Sequence, residues 1–258
     1  PPRAGIRRQR QMCIRDRHQI GRDKLETVMH IARLLERGVL GLMLQDLQLQ
    51  QVADLPFTTE ITLSGARERS LLRDHLSRRC DRINTGTRQL LLELAERNKV
   101  DLRFEEASGH RLRCALERDG GIDIFLPPRQ PWQHQHQTRH SIRKPIERLG
   151  LVLPSREQGE RVMVIAAALL QAGLVGQVHA LVGGNVSVAE LTSLPLQGRA
   201  LTVRTDLTLN SEAILLLIRR SPYDLTLIPR DCLESIPTEE LDAALALAGG
   251  QVMVVSSA

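Results

Sequence analysis

Three histidines, His134, His136 and His140, stand close together in a polar stretch, PWQHQHQTRHSIRK. Neutral imidazole suits zinc, copper or nickel, and on a helix His136 and His140 would share one face. No carboxylate or cysteine stands among residues 130–146 to complete a ligand set. The plain alternative is a solvated linker, and no metal is expected. Two glycines, Gly183 and Gly184, follow an apolar run and precede a short helical pattern, where an anion could rest at a helix start. An ordinary turn would need the same residues. Ser155 holds the matching place after an earlier apolar run. Arg129 and Arg230 each follow a proline at the end of a short apolar run. Guanidinium groups there could meet an acidic ligand, because open α/β sheets bind ligands at the carboxyl ends of their strands. For nucleophilic catalysis the chain offers no Gly-x-Ser-x-Gly, and Cys232 has no nameable base. Glu105-Glu106 and Glu239-Glu240 read as exposed pairs. No catalytic set emerges, so the chain is read as non-enzymatic.

The elements that would position these residues centre on residues 149–184. Residues 149–153 are continuously apolar, as in a strand covered on both faces, and Pro154-Ser155 ends the run. The Ser155 hydroxyl suits a helix N-cap, with Glu157 and Glu160 favoured near the helix start. The helix turns apolar over 162–170 and closes at Gly173. Residues 178–182 are a second strand. Strand, crossover helix and strand make a parallel pair. The length of 162–182 would also fit a membrane span. Gln171, Gln177, His179 and the glycines Gly173 and Gly176 argue against it.

Periodicity predicts helices at 24–37, 68–98, 109–118, 188–194, 211–220 and 238–248. Strands are predicted at 39–44, 100–106, 122–126, 199–204, 224–228 and 251–255. Asn210 or Ser211 would cap one helix and Thr238 another. In the long helix Leu72, Leu76, Cys80, Ile83, Leu90 and Leu94 form a core-facing stripe. The second half alternates strand and helix throughout, which predicts five parallel strands. Residues 127–148, rich in Pro, Gln, Arg and His, have linker composition, with room for a short helix at 137–144.

The chain has 258 residues, a net charge of +5 and 42% hydrophobic residues. Residues 1–22 carry seven arginines against Asp16, so the rest of the chain is close to neutral at about −1. Basicity belongs to the N-terminal stretch. With 2% aromatics there is no stacking platform for bases, and no nucleic-acid partner is expected. Four scattered cysteines, Cys13, Cys80, Cys114 and Cys232, fit a reducing compartment. No secretory leader is visible, and a cytoplasmic location with no membrane association is expected. Gln11 to Arg17, QMCIRDR, resembles a translated sequencing adapter, so residues 1–20 are set aside as an artefact or a disordered basic tail.

The halves echo each other. Asp123 to Arg129, DIFLPPR, aligns without a gap on Asp224 to Arg230, DLTLIPR. LLERG at 34–38 aligns on LLQAG at 169–173. With the strand ending Gln45-Asp46, the Leu55-Pro56-Phe57 loop and the long helix after it, the arrangement resembles a tandem universal stress protein. The resemblance implies two flavodoxin-like α/β units: 21–129, lacking its first strand, and 149–258, joined by a linker at 130–148. It implies a stress or regulatory role, with a protein partner or a second copy of the chain bound through sheet edges. Many members of that family bind ATP through a glycine-rich loop after the fourth strand, with an aspartate after the first. Here Pro127-Pro128-Arg129 and Pro229-Arg230-Asp231 replace the glycines, and Pro154-Ser155 replaces the aspartate. Proline removes N–H donors, and without glycine the backbone cannot approach phosphate closely. No cofactor is expected. The alternative is an ATP-binding or other anion-binding module that uses the carboxyl ends of the strands.

Overall fold

The computed structural model describes residues 22–45, 51–55, 58–61, 68–70, 72–108, 111–117, 123–126, 146–183, 186–205 and 208–256. The chain divides into two compact units, residues 1–33 with 37–114, and 34–36 with 115–258.

The first unit contains α1 (Arg22–Leu34), β1 (Val39–Gln45), β2 (Thr59–Ile61), β3 (Glu68–Ser70), α2 (Arg73–Asn98) and β4 (Leu102–Ser108); α3 (Arg111–Leu116) follows. Helix α1 stops before the expected Gly38, with Glu36 in the left-handed region at φ 52°. Its apolar face, Leu25 and Met29, packs on Leu94 and Ala95 of α2, with Val39, Val100 and Leu102 closing the cluster. Ion pairs Arg22–Glu93 at 2.5 Å and Glu26–Arg97 at 3.3 Å flank this core. Strands β1 and β4 pair in parallel from Val39↔Leu102 to Gln45↔Ser108. The Phe104 ring lies over Gly41 and carries the Arg88 guanidinium 4.7 Å from its centre.

The long helix begins later than its periodicity predicts. Glu68–Ser70 pairs antiparallel with Thr59–Ile61 instead. Leu72, 52% exposed, then sits as an extended N-cap at ψ 134°. Of the expected stripe, Leu76 and Leu94 are buried. The side chains of Cys80 and Ile83 lie outside the described residues.

The second unit holds β5 (Ile124–Leu126), β6 (Ile146–Leu153), α4 (Arg156–Gln171), β7 (Val175–Val182), α5 (Val188–Leu191), β8 (Leu201–Arg204), α6 (Ser211–Arg220), β9 (Leu225–Pro229), α7 (Asp231–Glu234), α8 (Thr238–Leu247) and β10 (Gln251–Val255). One six-stranded sheet runs β5-β10-β9-β6-β7-β8. Its last five members are parallel, as the alternating pattern predicts. The sixth is a correction. Strand β5, expected to close the first unit, pairs antiparallel with β10 through Val252↔Leu126, Met253↔Phe125 and Val254↔Ile124. The sheet is doubly wound, and counted from β6 its parallel strands stand in the order 3-2-1-4-5.

Register and packing explain the layers. Side chains alternate across a strand, so Leu149, Leu151 and Leu153 share a face. Gly159 of α4 sits against Leu153 on that face. On the other face Gly150 leaves room for the Tyr223 ring, which a Cβ would overlap. Right-handed crossovers carry α6 and α8 to this second face, where they pack on each other. Ser155 caps α4 by accepting the Gln158 N–H at 3.3 Å, and Asn210 caps α6 by accepting from Ala213 at 2.9 Å. Thr238 does not cap α8. Pro237 holds the extended cap position without a side-chain bond, and Thr238 is the first helical residue. Strand β6 also begins earlier than expected and takes residues 146–148 from the expected linker.

Leu151 is 0% exposed, whereas Leu216 on α6 is 49% exposed. Leu151→Ala is expected to cost about 2–5 kcal/mol in urea unfolding, and Leu216→Ala within about 0.5 kcal/mol. Equal losses at the two sites would contradict this placement of the core.

Candidate functional site

Strand β6 continues to β7 on one side, while β9 continues to β10 on the other. The carboxyl ends of β6 and β9 therefore flank a topological switch point, where doubly wound sheets hold ligands. Ser155, Gly183, Arg230 and Ser256 all stand at carboxyl ends of this sheet.

Each sequence candidate there is already engaged. The Ser155 hydroxyl accepts from Gln158 N–H and donates to Gln158 Oε1 at 3.2 Å. Gly183 donates its N–H to Leu153 O at 2.8 Å. A Cβ on Gly183 would collide with the Pro154 carbonyl, so the glycine lets two strand ends cross closely. The following helix α5 spans only Val188–Leu191. Arg230 gives its backbone N–H to Val255 O at 2.8 Å, and its guanidinium donates to Leu116 O. Arg129, His134, His136, His140 and Gly184 lie outside the described residues. Among the described residues no group of three or more His, Cys, Asp or Glu could hold a metal ion.

The structure assembles a cluster that the sequence reading missed. Asp123 Oδ2 accepts from Arg161 Nη2 of α4 at 2.8 Å. Asp123 Oδ1 accepts from the Ser256 N–H at 2.9 Å and the Ser256 Oγ at 3.0 Å. The Arg161 and Asp123 side chains are 22% and 14% exposed, enough shielding for the pair to exceed an ordinary surface ion pair. One signal was available. Asp123 aligns with Asp224 in the repeated heptapeptides, and Asp224 also takes a neighbouring strand's N–H, from Arg148 at 2.8 Å. Because β5 runs antiparallel, the same local device sits at opposite ends of the sheet.

Among the described residues, His179 and Cys232 differ from their ordinary behaviour. Burial, then the charge of Asp231, pushes the Cys232 thiol up to about 12, so it stays a protonated, inert thiol at neutral pH. His179 stacks on Tyr223 with ring centres 5.2 Å apart, and its Nε2 is buried without a hydrogen-bond partner among the described residues. Burial holds the imidazole below its ordinary 6.5, and the charges of Arg148 and Arg204 add to this. The arrangement supplies donors, a closed strand-end rim and an apolar ring pair.

The fold therefore binds a proton at His179 less readily than the unfolded chain does. Stability contributed by the neutral imidazole is full above pH 6.5 and is lost as pH falls below it towards the lowered folded value. His179→Phe keeps a ring against Tyr223. Its melting temperature should fall less than that of the wild type between about pH 7.5 and about pH 5; parallel losses would exclude His179 as a source of acid sensitivity. Gly183→Ala is expected to cost about 1–3 kcal/mol through the clash with Pro154, measured by the urea midpoint. An unchanged midpoint would show that the strand ends are not in close contact. The chain matches no family model and no curated protein sequence.

Proposed function

We propose that the chain is a non-enzymatic, universal-stress-like interaction scaffold of two related units in which ATP binding has been lost. It acts in the cytoplasm in a stress or regulatory setting, through a protein partner or a second copy of itself. The doubly wound sheet and the heptapeptide echo support the relationship. Among the described residues no helix is long and apolar enough to cross a membrane.

The observation that carries the loss of nucleotide binding lies after β9. The family resemblance would place a glycine-rich phosphate loop there. Instead Pro229 ends the strand, Arg230 bonds to Val255 and Leu116 through its backbone and side chain, and α7 begins at once. Pro229 offers no N–H, and the Arg230 N–H that could face a phosphate is already paired with Val255 O. The second reading, an anion-binding module at the strand ends, is favoured by the switch point between β6 and β9.

Thermal melting of the full chain with magnesium and ATP, ADP or AMP separates the readings. A ligand at 100 times its Kd adds about 2.7 kcal/mol, a shift of several degrees in a protein of this size. The scaffold reading expects a shift within about 1 °C for all three, below that ligand signal. A shift of several degrees with any one would overturn it.

A further inference from the structure

Three donors of three kinds converge on one carboxylate: the Arg161 guanidinium at 2.8 Å, the Ser256 N–H at 2.9 Å and the Ser256 hydroxyl at 3.0 Å. A charged fork, an amide and a hydroxyl around one oxyanion are also the groups that hold phosphoryl oxygens. The donors and the acceptor have different origins. Arg161 lies on α4, and Ser256 follows β10, both parts of the parallel βα framework. Asp123 immediately precedes β5, the antiparallel strand of this sheet, which three residue pairs attach to the sheet edge. The cradle thus belongs to the framework, and the anion in it belongs to an appended strand. The donors stand at the carboxyl end of the sheet, the end at which this class of sheet meets its ligands. Ser256 is 2% exposed, so its two donors are set in place rather than free to turn to water.

The geometry points to an oxyanion site formed by Arg161 and Ser256, which Asp123 fills in cis and which a small phosphoryl-bearing molecule can occupy in its place. Occupation by such a molecule and docking of β5 through Asp123 are mutually exclusive. Each therefore weakens the other by the same factor. A ligand at this site frees β5 from β10 and uncovers a sheet edge of the kind that pairs with another chain. The site lies between α4 and the end of β10, and its donors, Arg161 and Ser256, are distinct from the backbone groups of the loop after β9, so it stands whether or not nucleotide binding has been lost there.

The test is calorimetric titration of the full chain with inorganic phosphate at constant ionic strength. Asp123→Ala should bind phosphate at least about tenfold more tightly than the wild type, equivalent to about 1.4 kcal/mol. Arg161→Gln added to that variant should abolish the gain. Asp123→Asn, which keeps the shape of the side chain, guards against a failure to fold and should show a gain in the same direction. In the wild type, saturating phosphate should speed amide exchange at residues 124–126. If the folded Asp123 variants bind phosphate no better than the wild type, or if the gain survives loss of Arg161, Asp123 is only a structural tie and the proposal falls.

Discussion

The second unit depends on the burial of β6. Leu149 and Leu151 are 0% exposed, and the strand is paired on both sides, to β7 and to β9. A strand in that position has its backbone groups satisfied laterally and both faces covered by side chains. Everything next to it must conform. Gly159 lets α4 approach Leu153, Gly150 admits the Tyr223 ring, and Gly183 lets the end of β7 pass the Pro154 carbonyl. In the first two places a missing Cβ sets the distance between layers, and in the third the distance between neighbouring strand ends. None requires an unusual backbone conformation, since none of the three has a positive φ.

That central strand also creates the switch point, and the chain closes the rim nearby with its own groups. Arg230 is turned to Leu116 O, and Ser256 and Arg161 are turned to Asp123. The segment that supplies Leu116 and Asp123 lies before β6 in the chain. Its attachment both covers the β10 edge and occupies donors at the carboxyl end. An exposed edge strand is an open invitation to pairing, so these two consequences of one short antiparallel strand are physically linked.

The first unit is built on a smaller scale. Among its described residues, a two-stranded parallel pair and an antiparallel pair of three-residue strands accompany α1 and α2. The parallel pair is covered on one side by the α1–α2 cluster around Met29 and Leu94, both 0% exposed. Phe104 laid over Gly41, and Arg88 over the ring, extend that cover. The long helix holds its end through Lys99 in the left-handed conformation at φ 56°, although the residue is not glycine. The following Val100 N–H bonds to Ala95 O at 3.0 Å, so orphan carbonyls at the helix end are satisfied.

Local chemistry was legible in the sequence. The Ser155 and Asn210 caps, the helix at Ser211–Arg220, the last strand at Gln251–Val255 and the run of parallel strands follow from capping side chains and hydrophobic period within a few residues. Errors arose where two local readings were equally good. Residues 68–70 suit a helix by composition, yet their backbone finds partners at 59–61. Thr238 is a good cap residue, yet Pro237 takes the cap position before it. Gly183 and Arg230, two of the glycines and arginines that could have met an anion, are engaged by close packing on Pro154 and by backbone carbonyls. What no local pattern could decide was the allegiance of β5. Three apolar residues fit any sheet edge, and only the folded β10 edge selects among them. Asp123 lies 38 residues from Arg161 and 133 from Ser256. The sequence determined that the second half would bury a parallel sheet, because period and composition act within single elements. Tertiary structure alone decided what closes that sheet's edge and fills its carboxyl-end donors, because those contacts exist only after distant elements have docked.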